Sequence, residues 1–165
     1  MTICPRDSAQ DSDWLPARLG SVPQNQALAL MVGLAFAIRL YLGLTSYCIS
    51  GDGVGYLGMA RGFATGDWTE ALRSVFSPLY PLLIAAAHPV LHDWELAATL
   101  ISAILGAAAV ATIYWMTREV FGRHDLALGA AALAAIHPEL AAYSASVRTE
   151  AGYIFLMTAA VGLRS

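Results

Sequence analysis

Two carboxylates draw attention by position. Asp52 sits in the run Ser50-Gly51-Asp52-Gly53-Val54-Gly55-Tyr56, and Glu150 follows Arg148-Thr149 at the head of an apolar stretch. A carboxylate within hydrogen-bond reach of an attacking hydroxyl can take its proton. The same residue types also occur at helix N-termini, where they cap orphan N–H groups or meet the helix dipole. Arg39 stands inside an apolar run, as intramembrane charges do when they line a site, although its length also lets it snorkel to headgroups. His88, His92, Asp93 and Glu95 crowd together in sequence, but Pro89 disrupts an i, i+4 histidine pair and no strong metal-ligand spacing results. A structural role is expected for these four, and for His124 and His137.

The elements that must position these residues follow from composition. The chain has 165 residues, of which 58% are hydrophobic and 13% charged, with a mean hydropathy of +0.58. Soluble domains carry about 25% charge, so this chain has too little polar surface for a water-facing globule. A net charge of −3 leaves no basic footprint for a nucleic acid. Two cysteines, Cys4 and Cys48, are too few for a disulfide scaffold. The reading is an all-α membrane protein.

A span needs about 20 apolar residues. Residues 96–116 satisfy this without a charge, with Asp93 as N-cap and Trp94, Tyr114 and Trp115 where aromatic belts belong, so a span over 95–117 is expected. Residues 26–47 form another; the cost of Arg39, about 3 kcal/mol, is offset by surrounding Leu, Ile, Phe and Val. A third runs over 125–144, with Pro138 and Glu139 near its far end, and a fourth over 150–164. The fourth is short of a full crossing, which suggests a truncated chain or the opening part of a larger fold. Residues 1–25 read as a disordered cytoplasmic tail. Small residues such as Ser102, Gly106, Gly129 and Ala130 would let helix backbones approach closely.

Arginine counts favour a cytoplasmic N-terminus. Arg6, Arg18, Arg118, Arg123 and Arg164 then lie inside and Arg61, Arg73 and Arg148 outside. Asp52 and Glu150 share the outer face, and Cys4 and Cys48 fall on opposite sides. The outer loop, 49–95, is long enough to carry its own structure. Tyr56, Met59, Ala60 and Phe63 recur at helical spacing and Gly66 can stop that helix. Ser77 and Pro78 open a second apolar helix, expected to close at His88-Pro89. Both are expected to lie along the membrane surface, placing Asp52 where water meets lipid.

In this order the residues resemble the N-terminal part of the GT-C glycosyltransferases, multi-spanning enzymes that include the protein O-mannosyltransferases, the aminoarabinose transferases and the RgtA/B/C/D-like group. The pattern comprises Arg39, Asp52 and Tyr56, Gly66, Pro78-Leu79-Tyr80-Pro81, the turn from Arg118 to Gly122, Pro138, Tyr143-Ser144 and Thr149-Glu150. It extends from about Ala27 to the end of the chain. The resemblance implies about four transmembrane helices with two interfacial helices in the first extracytoplasmic loop. It also implies a multi-pass protein of the bacterial inner membrane, its site facing outward. There a sugar passes from a polyprenyl-phosphate donor to a hydroxyl of a glycan, lipid or protein acceptor. Asp52 takes the place of the general base. Many relatives carry an acidic pair here, and this sequence has Asp52-Gly53, so Glu150 is the candidate for the second carboxylate. Tyr56, Arg39, Arg61, Tyr80 and Arg148 become candidates for substrate binding. In some branches the acid helps position a divalent metal; no residue here is assigned as a metal ligand.

Two other readings compete. In a transporter or channel segment, Arg39 and Glu139 would face one continuous lumen. A non-catalytic four-helix membrane protein, a partner subunit or a remnant, would fold stably without binding a donor.

Overall fold

The computed structural model describes residues 23–46, 51–72 and 76–162. Cys4, Cys48, Arg6, Arg18, Arg73, Arg164 and most of the polar tail lie outside these. The described residues form eight helices: α1 (Gln24–Thr45), α2 (Gly51–Thr65), α3 (Trp68–Ala71), α4 (Leu79–Leu91), α5 (Trp94–Phe121), α6 (His124–Ile136), α7 (Pro138–Ala145) and α8 (Glu150–Gly162). Two of them, α1 and α5, are long and apolar enough to cross a membrane, and α6 with α7 makes a third span if the bent pair is counted as one. The protein is an integral membrane protein.

Helix α5 is the spine, and α1, α4, α6, α7 and α8 all pack on it. Its buried residues are mostly small, among them Ala97, Ala98, Ser102, Ala103, Gly106 and Ala107. Small side chains let neighbouring backbones come close where lipid offers no hydrophobic drive for association. Ser102 and Gly106 play the part expected of them, while Gly129 faces open space. The helix starts at an Asp93 cap, whose carboxylate accepts from Glu95 N (2.8 Å) and Leu96 N (3.0 Å), and ends at Gly122 in the left-handed region. It runs past Met116 to Phe121. Trp115 is exposed, as a belt residue would be, but Tyr114 is turned inward and its hydroxyl pairs with His124 Nδ1 at 3.0 Å.

The loop helices follow the apolar periodicity. On α2, Tyr56, Met59 and Ala60 are buried and Phe63 half-buried, and Gly66 ends the helix at φ 77°. Helix α4 differs from expectation at both ends. Pro78, not Ser77, occupies the N-cap position, and the helix passes through Pro89 to Leu91. Pro89 lacks only one N–H near the helix end, and the last turn closes by His92 N–H donating to His88 O at 2.8 Å, with His92 at φ 56°.

The third expected span is two helices bent by 56°. Pro138 disfavours helical geometry for the residue before it, and His137 is extended (φ −62°, ψ 120°). The break orphans the last carbonyls of α6, those of the buried residues Ala134 and Ala135. Arg39, only 2% exposed, meets that need. Its Nη1 donates to Ala35 O (3.1 Å) and Ala135 O (3.2 Å), its Nη2 to Ala134 O (3.2 Å), and its Nε to Ser144 Oγ (2.8 Å). The Ser144 hydroxyl in turn donates to Leu140 O. The guanidinium thus sits at the negative end of the α6 dipole, pointing into the bundle instead of out to headgroups. Gly106 leaves the room: a Cβ there would stand 2.5 Å from Ser144 Cβ and 2.8 Å from Arg39 Nε.

Both partners of this arrangement can be tested by thermal unfolding in detergent. Arg39→Met should lower stability by about 1–3 kcal/mol for each carbonyl left unpaired, and Gly106→Ala by about 1–3 kcal/mol through overpacking. Unchanged melting in both variants would refute the brace.

Candidate active site

A side-chain contact links α2 to the residue that precedes α8. Asp52 lies in the first turn of α2 and is exposed to solvent. One turn on, Tyr56 is 5% exposed, and its hydroxyl lies 3.0 Å from Thr149 Oγ1. Thr149 immediately precedes Glu150, the first residue of α8. The Glu150 carboxylate pairs with Arg148 Nη1 at 3.6 Å, and the Arg148 guanidinium also stands over the Tyr143 ring, 5.6 Å from its centroid. Glu150 is therefore held beside a cation while remaining half-exposed.

Tyr80 backs this assembly. It is 4% exposed, its hydroxyl pairs with Ser102 Oγ at 2.6 Å, and it donates to Ala98 O at 3.2 Å. Its ring meets Tyr56 edge-on with centroids 5.3 Å apart, and Phe76 packs on Tyr56 at 4.7 Å. Burial pushes the Tyr80 phenol above its ordinary pKa, and the Tyr56 phenol and the Glu150 carboxylate add to that shift against the Ser102 bond. Tyr80 thus stays protonated through the physiological range. The two tyrosines dock the loop helices onto the rest of the bundle: Tyr80 ties α4 to α5, and Tyr56 ties α2 to the residue before α8.

Three openings surround the Ser146–Glu150 turn. A groove of about 490 Å³ between α7 and α8 is lined by Glu150, Thr149, Glu139, Tyr143 and Tyr153. An apolar groove of about 280 Å³ runs beside it, with Leu79, Leu83, Leu105, Phe155 and Leu156 as walls and Tyr80 and Thr149 at the rim. A polar groove of about 340 Å³ lies on the α1 side, lined by Asp93, Glu95, Thr99, Ser146 and Arg148. Arg148 and Glu150 therefore face different openings although they pair with each other.

The sequence-derived candidates divide. Tyr56 and Tyr80 are joined by ring contact, Tyr56 reaches Thr149 beside Glu150, Glu150 pairs with Arg148, and Asp52 lies one helical turn before Tyr56 on α2. Arg61 is exposed and stands apart from these contacts on α2, its guanidinium 5.9 Å from the Trp94 ring centroid. Arg39 lies deeper, with its donors directed to Ser144 and to backbone carbonyls of α1 and α6. Arg39 and Glu139 do not share a lumen, because Arg39 is enclosed while Glu139 lines the open groove with Glu150. Among the described residues, no three His, Cys, Asp or Glu side chains gather as a metal-ligand set. Asp93 caps α5, and the His88 ring stacks on Trp94 at 3.6 Å.

Sequence reasoning named Thr149 only as part of a motif and passed over Ser102 and Ser144 as partners. Hydroxyl residues within apolar helices are the signal that could have found them, since such groups seek interhelical bonds.

A family model described as dolichyl-phosphate-mannose-protein mannosyltransferase matches residues 76–163, more than half of the chain. The match includes Tyr80, Arg148, Thr149 and Glu150 and begins after Asp52 and Tyr56. No curated protein and no solved structure matches the chain.

Tyr80→Phe keeps the ring and removes its hydrogen bonds to α5. We expect a loss of about 0.5–1.5 kcal/mol in unfolding free energy. Ser102→Ala should add less in the Tyr80→Phe background than in the wild type; full additivity would show the two hydroxyls to be uncoupled.

Proposed function

The chain belongs to the dolichyl-phosphate-mannose-protein mannosyltransferase family, and from that premise we propose that the Asp52–Glu150 assembly transfers a sugar from a polyprenyl-phosphate donor to an acceptor hydroxyl. Membership makes the protein a membrane glycosyltransferase of the GT-C type, working on a lipid-linked sugar. The finer reading gives each residue a role. Asp52, exposed at the start of α2, accepts the acceptor hydroxyl's proton. The acceptor oxygen forms its bond to the anomeric carbon as the bond from that carbon to the phosphate oxygen breaks, and the electron pair leaves with polyprenyl phosphate. Arg148, beside Glu150, is a cation for the developing phosphate charge. Glu150, paired with Arg148, supplies the second carboxylate. Arg39 takes no part at the phosphate, because its Nε and both Nη groups already donate within the bundle.

The observation that carries this reading is the Tyr56–Thr149 contact, which brings the segment bearing Asp52 to the segment bearing Glu150 across 93 residues of chain. The arginine distribution supports an outward-facing site, and the resemblance supports the bacterial inner membrane as its setting. The family description favours mannose as the sugar and a protein hydroxyl as the acceptor.

Purified protein in lipid vesicles, given dolichyl-phosphate-mannose and a serine- and threonine-containing peptide, provides the test. Other polyprenyl-phosphate sugars form a second panel. Asp52→Asn should reduce transfer by about 10²–10⁴-fold, with melting unchanged because the side chain is exposed. Undiminished transfer by Asp52→Asn removes that residue from the mechanism, and no transfer from any donor by the wild type overturns the reading as a whole.

A further inference from the structure

We propose that Tyr56 and Thr149 form a clamp that sets the separation of the Asp52 and Glu150 carboxylates, with Tyr56 a positioning residue and not a ligand of the substrate. The proposal rests on the reading of Asp52 and Glu150 as the working acids. Four observations carry it.

The Tyr56 side chain is 5% exposed, so its ring offers little surface to a substrate, and its hydroxyl already has a partner in Thr149 at 3.0 Å. Both ends of that contact adjoin an acid: Asp52 lies one helical turn before Tyr56, and Glu150 directly follows Thr149. The helices concerned have little else in common, since α2 leans on α3, α4 and α5 while α8 leans on α5 and α7. A break at the contact would let the start of α2 shift against the start of α8 without unpacking either from its main neighbours.

The Tyr56 ring is itself fixed. Phe76 packs against it, Tyr80 meets it edge-on, and Tyr80 is pinned to α5 through Ser102 and Ala98. The line Ser102–Tyr80–Tyr56–Thr149 therefore runs from the spine of the bundle to the residue beside Glu150. A side chain held on both faces and bonded at its tip transmits position, which reactions sensitive to displacements of about 1 Å require.

Two measurements on the full chain test this. In a Cys4→Ser, Cys48→Ser background, spin labels at Asp52→Cys and Glu150→Cys report the distance distribution, with and without Tyr56→Phe or Thr149→Val. Steady-state transfer is measured in the unlabelled variants, which retain both acids, using dolichyl-phosphate-mannose and the same peptide. The clamp predicts that either change shifts and broadens the distribution. It also predicts that kcat falls by about tenfold while KM for the donor stays within about twofold. The double variant should be no worse than the single ones, and Thr149→Ser, which keeps the hydroxyl, should behave as wild type. An unchanged distribution in both Tyr56→Phe and Thr149→Val overturns the clamp. A rise in KM at constant kcat also overturns it, by making Tyr56 a substrate ligand. Failure of the underlying reading looks different: Asp52→Asn would then transfer normally, whatever the labels report.

Discussion

The requirement that backbone carbonyls freed inside an apolar bundle find donors governs this structure. Pro138 breaks the third span, and the carbonyls of Ala134 and Ala135 at the end of α6 lose their helical partners. A buried carbonyl left without a donor costs several kcal/mol. Arg39 supplies the donors from the neighbouring span. Its own insertion cost, about 3 kcal/mol at a helix centre, is offset by apolar neighbours and by the negative end of the α6 dipole. A lysine could not reproduce this, since the planar guanidinium reaches two successive carbonyls and the Ser144 hydroxyl at once.

The consequence reaches the end of the bundle that carries Glu150. Because α7 departs from α6 at 56°, the turn after it carries Ser146 to Glu150 back over the start of α5 and beside α2. A straight third span would have no such elbow to redirect the chain there. The bend, Arg39 and the placement of Glu150 are therefore one arrangement, and Gly106 is the space in α5 that allows it. Arg39 braces the ends of α6 and α7, the helices that lead the chain to this turn.

The family match and the geometry divide the site between them. Residues 76–163 contain α4 through α8 and thus Tyr80, Arg148, Thr149 and Glu150. Asp52 and Tyr56 stand before the matched segment, and Tyr56 joins it through the hydroxyl contact and the tyrosine pair. Loop helices docked by buried aromatic rings with polar tips suit a membrane boundary, where one end of the side chain meets apolar packing and the other meets a polar partner. The same economy shows at Trp94, which takes His88 on its face and has the Arg61 guanidinium nearby.

What could be read from sequence alone was what depends on near neighbours along the chain. Spans α1 and α5 follow from runs of about 20 apolar residues. The Asp93 cap, the Gly66 stop and the Tyr56–Met59–Ala60–Phe63 face follow from offsets of a few residues. Asp52 and Glu150 could be assigned to one end of the bundle by counting crossings. Pro138 was visible, but not that the chain would bend there, because a proline near a span's end can kink or merely terminate a helix. The partners of Arg39 lie 96 and 105 residues away, and Thr149 lies 93 from Tyr56. No periodicity encodes such pairs. They exist only once helices of fixed length and small-residue spacing have packed, and only then does the direction of a guanidinium or a phenol become determined.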